Sequence, residues 1–283
     1  MLTDRTALIT GASSGFGLLT ALTLAKRGWR VIATMRDLNR REELSEAAHA
    51  AGVRDRIEIM TLDVTNAGHV AAIAQSIDVR SAPLHAVINN AGFAVAGFAD
   101  DVTDAELRKQ FETNFFGAAA VTRACLPQMR RQGFGHVVMV SSISGRMGFP
   151  GVSSYVASKF ALEGWTETLR LEMTPLGIQV VLVEPGSFDT AIWNREENLA
   201  ASAKDRNSPN AARMARLLEG MKTNKQRVNP QIVADGIARI LDNPRPRLRY
   251  VYGKDARLGL LLKGLLPSKM LERVLIKVSG ISE

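Results

Sequence analysis

TALITGASSGFGLLTALTLAKRG (residues 6–28) joins an apolar stretch to a helix-like stretch through a turn of small residues. Residues 6–10 have the apolar and β-branched composition of a buried strand, and residues 18–26 carry apolar side chains at helical spacing. A strand that leads at once into a helix presents free backbone N–H groups and a positive helix end, which suit a phosphate. The residues that would surround it are Gly11, Ser13, Ser14, Gly15, Phe16 and Gly17. We interpret the turn as a dinucleotide or other phosphate site; a tight connection that requires glycine is the alternative.

Six further apolar runs of strand length follow, separated by helical stretches. They begin near residues 30, 57, 85, 136, 179 and 249. Near-continuous apolar strands are typical of a parallel sheet that is covered on both faces. The sequence therefore predicts an α/β fold: a single doubly wound Rossmann-type domain over residues 1–283, with a seven-stranded parallel sheet and helices on both faces. Ligands of such a sheet bind beyond the carboxyl ends of its strands.

Composition and charge exclude several classes of function. The chain has 283 residues, of which 46% are hydrophobic, and a single cysteine, Cys125, so it needs no disulfide to build a core. The four histidines have no metal-ligand spacing, and we predict no metal site. The net charge is +8, but residues 245–283 hold nine Lys or Arg and three acids, so the rest is nearly neutral and nucleic-acid binding is disfavoured. No signal peptide is evident, which predicts a cytoplasmic protein.

Residues at the ends of the second, third and fourth strands predict a ligand groove. After the second strand, Met35 occupies the place of a ribose-binding acid and Arg36 follows it, which favours a 2′-phosphate and hence NADP(H). Asp37 could instead reach the ribose, so NAD(H) remains the alternative. The next two strand ends contribute Asp63, Val64, Asn90, Ala91 and Gly92.

A tyrosine and a lysine four residues apart provide candidate acid–base chemistry. Tyr155 and Lys159 share one face of a helix, so their polar ends can converge. An ammonium group near a phenol lowers the pKa of the phenol, which would make Tyr155 a better proton shuttle near neutral pH. Ser142 lies at the end of the fifth strand and could polarise a substrate carbonyl. Taken alone, a Tyr-x-x-x-Lys pair is weak evidence.

Together, these motifs resemble those of the classical short-chain dehydrogenase/reductase family over nearly all of residues 4–190. The matching residues are Thr10-Gly11-x-x-x-Gly15-x-Gly17, Asp63, Asn89-Asn90-Ala91-Gly92, Asn114, Ser142, Tyr155-x-x-x-Lys159, Pro185-Gly186 and Thr190. The resemblance implies an NADP(H)-dependent oxidoreductase with Tyr155 as general acid or base. It further implies that Lys159 holds the nicotinamide ribose, Ser142 binds the reacting oxygen and Asn114 anchors a water. Pro185, Gly186 and Thr190 would contact the nicotinamide end.

The substrate and partners are less specifically indicated. The chain resembles the branch with 17β-hydroxysteroid and retinol dehydrogenases, which implies a hydrophobic ketone or aldehyde and its alcohol. Phe149, Phe188, Trp193 and a polar lid over residues 191–227 are candidate pocket elements, with core packing or a mobile loop as the alternatives. Family members are commonly homodimers or homotetramers. A cofactor-binding regulator or a membrane-peripheral protein with little turnover is the alternative function.

The C-terminal extension, residues 255–283, has an amphipathic and basic pattern. Met270, Val274 and Val278 share a helical face with Leu271 and Leu275, and Lys269, Arg273 and Lys277 lie on another face. Such a helix could rest on an anionic membrane surface. We favour the alternative that its apolar face covers the substrate cleft or a subunit contact.

Overall fold

The computed structural model describes residues 5–80, 82–190, 198–205, 207–223 and 228–281, which form a sheet with helices on both sides. The strands are β1 Thr6–Ile9, β2 Arg30–Met35, β3 Ile57–Thr61, β4 Leu84–Asn89, β5 Gly135–Val140, β6 Ile178–Pro185 and β7 Arg249–Tyr252. All six neighbouring pairs are parallel, in the order β3-β2-β1-β4-β5-β6-β7. The predicted seven-stranded parallel sheet is confirmed.

Ten helices accompany these strands in the described chain. They are α1 Gly15–Lys26, α2 Glu42–Ala50, α3 Ala67–Asp78, α4 Asp104–Phe111, α5 Ala118–Gln132, α6 Ser153–Met173, α7 Ala211–Thr223, α8 Gln231–Leu241, α9 Lys254–Leu265 and α10 Ser268–Ser279. A π-helical turn, Glu112–Gly117, joins α4 to α5. A π turn widens the helix by one residue, and such turns recur at functional sites.

Alternate residues of the strands build two separate cores, one on each face of the sheet. On one face, residues such as Ile9 and Val31 pack against α1, α2 and α8. On the other face, residues such as Leu8 and Ile32 pack against α3, α5 and α6. Because side chains alternate along a strand, two buried faces require the near-continuous apolar runs seen in the sequence.

The strand order shows where a ligand can enter the edge of the sheet. Chain connections run outward in one direction from β1 to β3 and in the other from β4 to β7. The crevice lies between β1 and β4, where the two halves diverge. The predicted strand-end residues lie at or just after the carboxyl ends of their strands, so they share one edge.

Part of the predicted lid is structured, and part lies outside the described residues. Residues 198–200 pair with the loop around Ala96, and α7 buries Met214 and Leu217 against Phe98. The sequence predicts a weakly periodic segment over residues 191–227, whereas residues 211–223 form a helix because apolar side chains recur along it at helical spacing. Trp193, with the rest of residues 191–197, and residues 206 and 224–227 lie outside the described chain.

The C-terminal extension forms α9 and α10, separated by Leu266 and Pro267. Leu260, Leu271 and Leu275 pack against a small buried cluster that includes Met147. One part of the apolar face thus covers the body of the protein. None of the described helices is long and apolar enough to cross a membrane.

Candidate active site

A cavity of about 650 Å³ lies along the carboxyl edge of the sheet. It gathers most of the residues that the sequence predicts for the site. The predicted residues that line it are Gly11, Ser13, Ser14, Gly15, Phe16, Arg36, Asp63, Val64, Asn90, Ala91, Gly92, Ser142, Tyr155, Lys159, Pro185, Gly186 and Thr190. Two predicted residues, Gly17 and Asn114, are not among its lining residues and contribute from behind it.

The glycine turn is shaped by close backbone contacts. Gly11 and Gly15 adopt positive φ angles of 67° and 56°. A Cβ at Gly17 would lie 2.3 Å from the Gly11 carbonyl oxygen and 2.5 Å from Asn90 Nδ2. Asn90 Nδ2 in turn donates to the carbonyl oxygens of Thr10 and Gly11, at 3.0 and 2.9 Å. The absence of a side chain at Gly17 therefore allows the first turn of α1 to pack directly against the glycine turn and Asn90.

The start of α1 leaves backbone donors for an anion. Its N-cap, Ser14, makes no side-chain capping hydrogen bond, and the first turn holds no acidic residue. The first N–H groups of a helix lack intrahelical acceptors and carry the positive end of the helix dipole. These features fit the phosphates of the dinucleotide that the sequence predicts.

Tyr155 and Ser142 meet in the inner part of the cavity. Both side chains are buried, and they are joined by a hydrogen bond. Burial raises the pKa of Tyr155 to about 12, although the hydrogen bond with Ser142 acts in the opposite direction. The phenol therefore keeps its proton at neutral pH, which is the state that a proton donor requires.

Lys159 lies one helical turn beyond Tyr155 and is also buried. Its Nζ donates to the Val140 carbonyl oxygen at 2.8 Å and lies 5.8 Å from the centre of the Tyr155 ring. Burial lowers the pKa of Lys159 to about 8, and the nearby Glu163 carboxylate partly offsets this effect. The sequence predicts that Lys159 lowers the pKa of Tyr155, whereas in the structure burial shifts that pKa upward and only the hydrogen bond with Ser142 opposes it.

Asn114 lies in the π turn and holds a loop next to the site. Its Oδ1 accepts from the Phe93 backbone N–H at 3.1 Å, and its Nδ2 donates to the Phe93 carbonyl oxygen at 3.0 Å and to Ser158 Oγ at 3.1 Å. These bonds connect the loop after β4 to α6. The predicted role of Asn114 in anchoring a water stays a prediction.

The opposite end of the cavity is cationic and lies beyond β2. Arg36, Asp37 and Arg40 line it. The Asp37 carboxylate accepts from the Asn39 backbone N–H at 2.9 Å and thereby caps a short 3₁₀ turn. Burial alone would raise the pKa of Asp63, but hydrogen bonds from Thr65 and the charge of Arg36 outweigh it and hold that pKa below its ordinary value.

Comparison with known proteins places this geometry in a family. The family model for short chain dehydrogenase matches residues 5–200. The chain belongs to the short-chain dehydrogenase family. It is 42% identical to the oxidoreductase YusZ of Bacillus subtilis, over 96% of this chain and 98% of YusZ. It is also 35% identical to human retinol dehydrogenase 8, over 87% of this chain and 80% of the relative, which supports a retinol dehydrogenase-like branch.

Solved structures agree with this family assignment. A short-chain dehydrogenase from Streptomyces avermitilis has a TM-score of 0.80 and 34% identity, with 97% of each chain covered. A short-chain dehydrogenase from Sphingobium yanoikuyae in complex with NADPH has a TM-score of 0.72 and 25% identity, over 93% of this chain and 96% of the other. This chain is therefore an oxidoreductase of the short-chain dehydrogenase family.

The structure adds residues to the site that the sequence did not single out. Arg40 joins Arg36 at the cationic end, and Phe93 and Asn198 contribute to the lining. Asp255, at the start of α9, accepts from the Ser187 backbone N–H at 2.7 Å. Arg40 reaches the cavity through the short turn that follows Arg36, and Asp255 depends on a contact between distant segments, so neither residue has a sequence signal of its own.

Proposed function

We propose that this oxidoreductase uses NADP(H) to interconvert a hydrophobic ketone or aldehyde with its alcohol. The observation that carries the proposal is the hydrogen-bonded pair Tyr155 and Ser142 with Lys159 beside them, buried at one end of a cavity whose other end is cationic. A nicotinamide cofactor is supported by the NADPH-bound Sphingobium relative and by the glycine turn. When bound, this cofactor would supply or accept the hydride.

The chain's own residues manage the substrate oxygen and its proton. Ser142 and Tyr155 can both donate hydrogen bonds to a carbonyl oxygen, which polarises the carbonyl. Tyr155 then delivers its phenolic proton to that oxygen during reduction and accepts it back during oxidation. The nearby positive charge of Lys159 stabilises the phenolate that remains.

The preference for NADP(H) rests on the cationic end of the cavity. Arg36 and Arg40 both line it, and an arginine pairs strongly with a phosphate. Asp37, the group that would favour NAD(H), is engaged in capping residues 38–40. The cap uses Oδ1 of an exposed carboxylate that can still accept from a ribose hydroxyl, so NAD(H) is the alternative that the Arg36→Ala titration tests.

Arg36→Ala is expected to raise the Kd for NADPH by about tenfold to hundredfold, because a hydrogen bond to a charged group contributes about 1.5–3 kcal/mol. The Kd for NADH should change by less than about twofold, since NADH has no 2′-phosphate. Fluorescence titration of both cofactors measures the difference. Arg41→Ala is the matched control, because Arg41 is exposed and does not line the cavity. Equal losses for both cofactors would refute the preference.

Gly17→Ala is expected to weaken NADPH binding by at least about tenfold, which corresponds to about 1.4 kcal/mol. The added Cβ would overlap the Gly11 carbonyl and displace the turn or the start of α1. The control is Gly164→Ala on α6, where a Cβ meets no atom within 4 Å. Titration together with thermal unfolding distinguishes a displaced turn from an unfolded protein. Unchanged affinity in Gly17→Ala would contradict a phosphate cradle at this turn.

A hydrophobic substrate is supported by aromatic residues in the cavity lining and beside Tyr155. Phe93 and Phe188 line the cavity, and Phe149 packs in the small cluster that contains Tyr155. The name of retinol dehydrogenase 8 points to a lipophilic alcohol for that relative. The test is NADPH oxidation with steroid, retinoid and aliphatic carbonyls. Turnover of a bulky carbonyl supports the enzyme, whereas cofactor binding without any turnover supports the regulatory alternative.

We also propose a cytoplasmic homodimer or homotetramer. Exposed apolar side chains on α4, the π turn and α6 support a subunit contact: Leu107, Phe116, Phe160 and Leu171. Sedimentation analysis of the full chain measures its oligomeric state.

A further inference from the structure

The C-terminal helices carry a concentration of exposed apolar side chains. Seven of the fifteen exposed large apolar residues in the described chain lie between residues 258 and 278. They are Leu258, Leu261, Leu265, Met270, Val274, Ile276 and Val278, and we call them the α9–α10 surface. Soluble proteins rarely expose large contiguous apolar patches unless these bind something.

The exposure of these side chains does not mean that α9 and α10 are detached from the protein. Other residues of the same two helices pack against its body. Leu260, Leu271 and Leu275 pack on the cluster around Met147, and Lys263 Nζ donates to the Arg146 carbonyl oxygen. On α9 the exposed leucines recur at intervals of three and four residues, on the side opposite Ala256 and Leu260. Both helices are therefore anchored. On α9 one apolar stripe faces inward and another outward, whereas on α10 a single apolar face is partly covered and partly exposed.

The charges around the α9–α10 surface favour an anionic partner. Residues 254–281 contain six cations and two acids. One acid, Asp255, is engaged with the Ser187 backbone N–H. Lys269, Arg273 and Lys277 are exposed, and no ion pair joins them to any other residue in the part of the chain that the structure describes. An apolar stripe flanked by unpaired cations is typical of helices that lie in a membrane interface.

We propose that the α9–α10 surface binds the face of an anionic lipid bilayer, with the exposed apolar side chains inserted between headgroups. Each helix has 12 residues and would lie along the interface without crossing it. A second copy of the chain fits this surface less well, because a two-fold contact would bring the same cations together. The proposal concerns binding and is independent of the proposed reaction.

The structure also explains why the sequence alone favours a contact with protein, and not with a membrane, for the apolar face of α10. From sequence, Met270, Leu271, Val274, Leu275 and Val278 form one apolar face that could be buried entirely against the protein. In the structure, Leu271 and Leu275 are partly covered, whereas Val278 is 80% exposed. Contact with the body of the protein therefore covers the part of that face formed by Leu271 and Leu275 and leaves the rest exposed.

The test is co-sedimentation of the full-length protein with lipid vesicles. We expect the protein to bind phosphatidylcholine vesicles that contain phosphatidylglycerol at least about tenfold more strongly than phosphatidylcholine alone, and binding should fall with added salt. Two triple variants should each lose about tenfold or more. They are Leu258→Gln with Leu261→Gln and Leu265→Gln, and Met270→Gln with Val274→Gln and Val278→Gln.

A third triple variant and a control keep the test specific. Lys269→Gln with Arg273→Gln and Lys277→Gln leaves the apolar contacts intact and should lose the preference for phosphatidylglycerol. Val79→Gln with Ile232→Gln removes exposed apolar side chains just after α3 and on α8, outside both the α9–α10 surface and the proposed subunit contact, and should bind like wild type. Failure of the wild type to bind anionic vesicles overturns the proposal, as does an equal loss in the control. Dissociation of an oligomer in the apolar variants, without wild-type vesicle binding, would assign the surface to a second copy.

Discussion

Tyr155→Phe is expected to lower kcat for carbonyl reduction by about 10²–10⁴-fold, the range typical of a lost general acid. Phenylalanine keeps the aromatic ring in its cluster with Ala94, Ala96 and Val152, so the cavity should retain its shape. What disappears is the buried phenolic proton and its hydrogen bond with Ser142. The Kd for NADPH should change by less than about threefold, because the phosphate cradle lies elsewhere in the cavity.

Single-turnover kinetics with NADPH and a reactive carbonyl measures the effect on chemistry directly. Tyr250→Phe is the matched control. Tyr250 lies on the edge strand β7, its hydroxyl accepts a hydrogen bond from the Arg247 backbone N–H, and it is not part of the cavity lining. A kcat for Tyr155→Phe within a few-fold of wild type would remove Tyr155 from proton transfer. The oxidoreductase assignment would stand in that case, because it rests on the family match.

The sheet could be predicted from sequence because its physical cause is local. A strand that is buried on both faces must be apolar at nearly every position, and the runs of the five inner strands show this directly. The edge strands β3 and β7 are only partly buried. The strand order goes beyond that prediction, which specified a doubly wound parallel sheet without ordering its strands. The π turn at Glu112–Gly117 was not predicted, because its extra residue is fixed by contacts of Asn114 with Phe93 and Ser158. Nothing in the local periodicity of residues 112–117 records those contacts.

The site was predictable as far as its residues follow strand ends. Arg36 could be assigned from its place after β2, whereas Arg40 reaches the cavity through the short turn that Asp37 caps. The upward shift in the pKa of Tyr155 could not be derived from Tyr-x-x-x-Lys spacing, because it depends on burial. Arg249 forms ion pairs with carboxylates on α6 and β6. These pairs were not predicted, because they join residues that are distant in the sequence.

Arg249→Met is expected to lower the free energy of unfolding by about 3–5 kcal/mol at pH 7.5, because it removes the cation that pairs with two buried carboxylates. Arg249 on β7 forms ion pairs with Glu163 on α6 and with Glu184 on β6, the latter at 2.7 Å. Both carboxylates are almost fully buried, and Arg146 approaches Glu184 at 3.3 Å. Arg131→Met is the control: its ion pair with Asp78 is exposed, and its loss should cost less than about 1 kcal/mol.

The cost of Arg249→Met should also depend on pH, with a sign that follows from Glu163. Burial, together with the Glu184 charge, raises the pKa of Glu163 from 4.5 to about 6. The native state therefore binds a proton that the unfolded state has released, so Glu163 makes the protein less stable as the pH rises from about 4.5 to 6. Removal of Arg249 raises the pKa of Glu163 further and extends this loss to higher pH. Denaturant unfolding at pH 5 and pH 7.5 should show the larger deficit at pH 7.5, and equal deficits would mean that Arg249 contributes packing rather than charge.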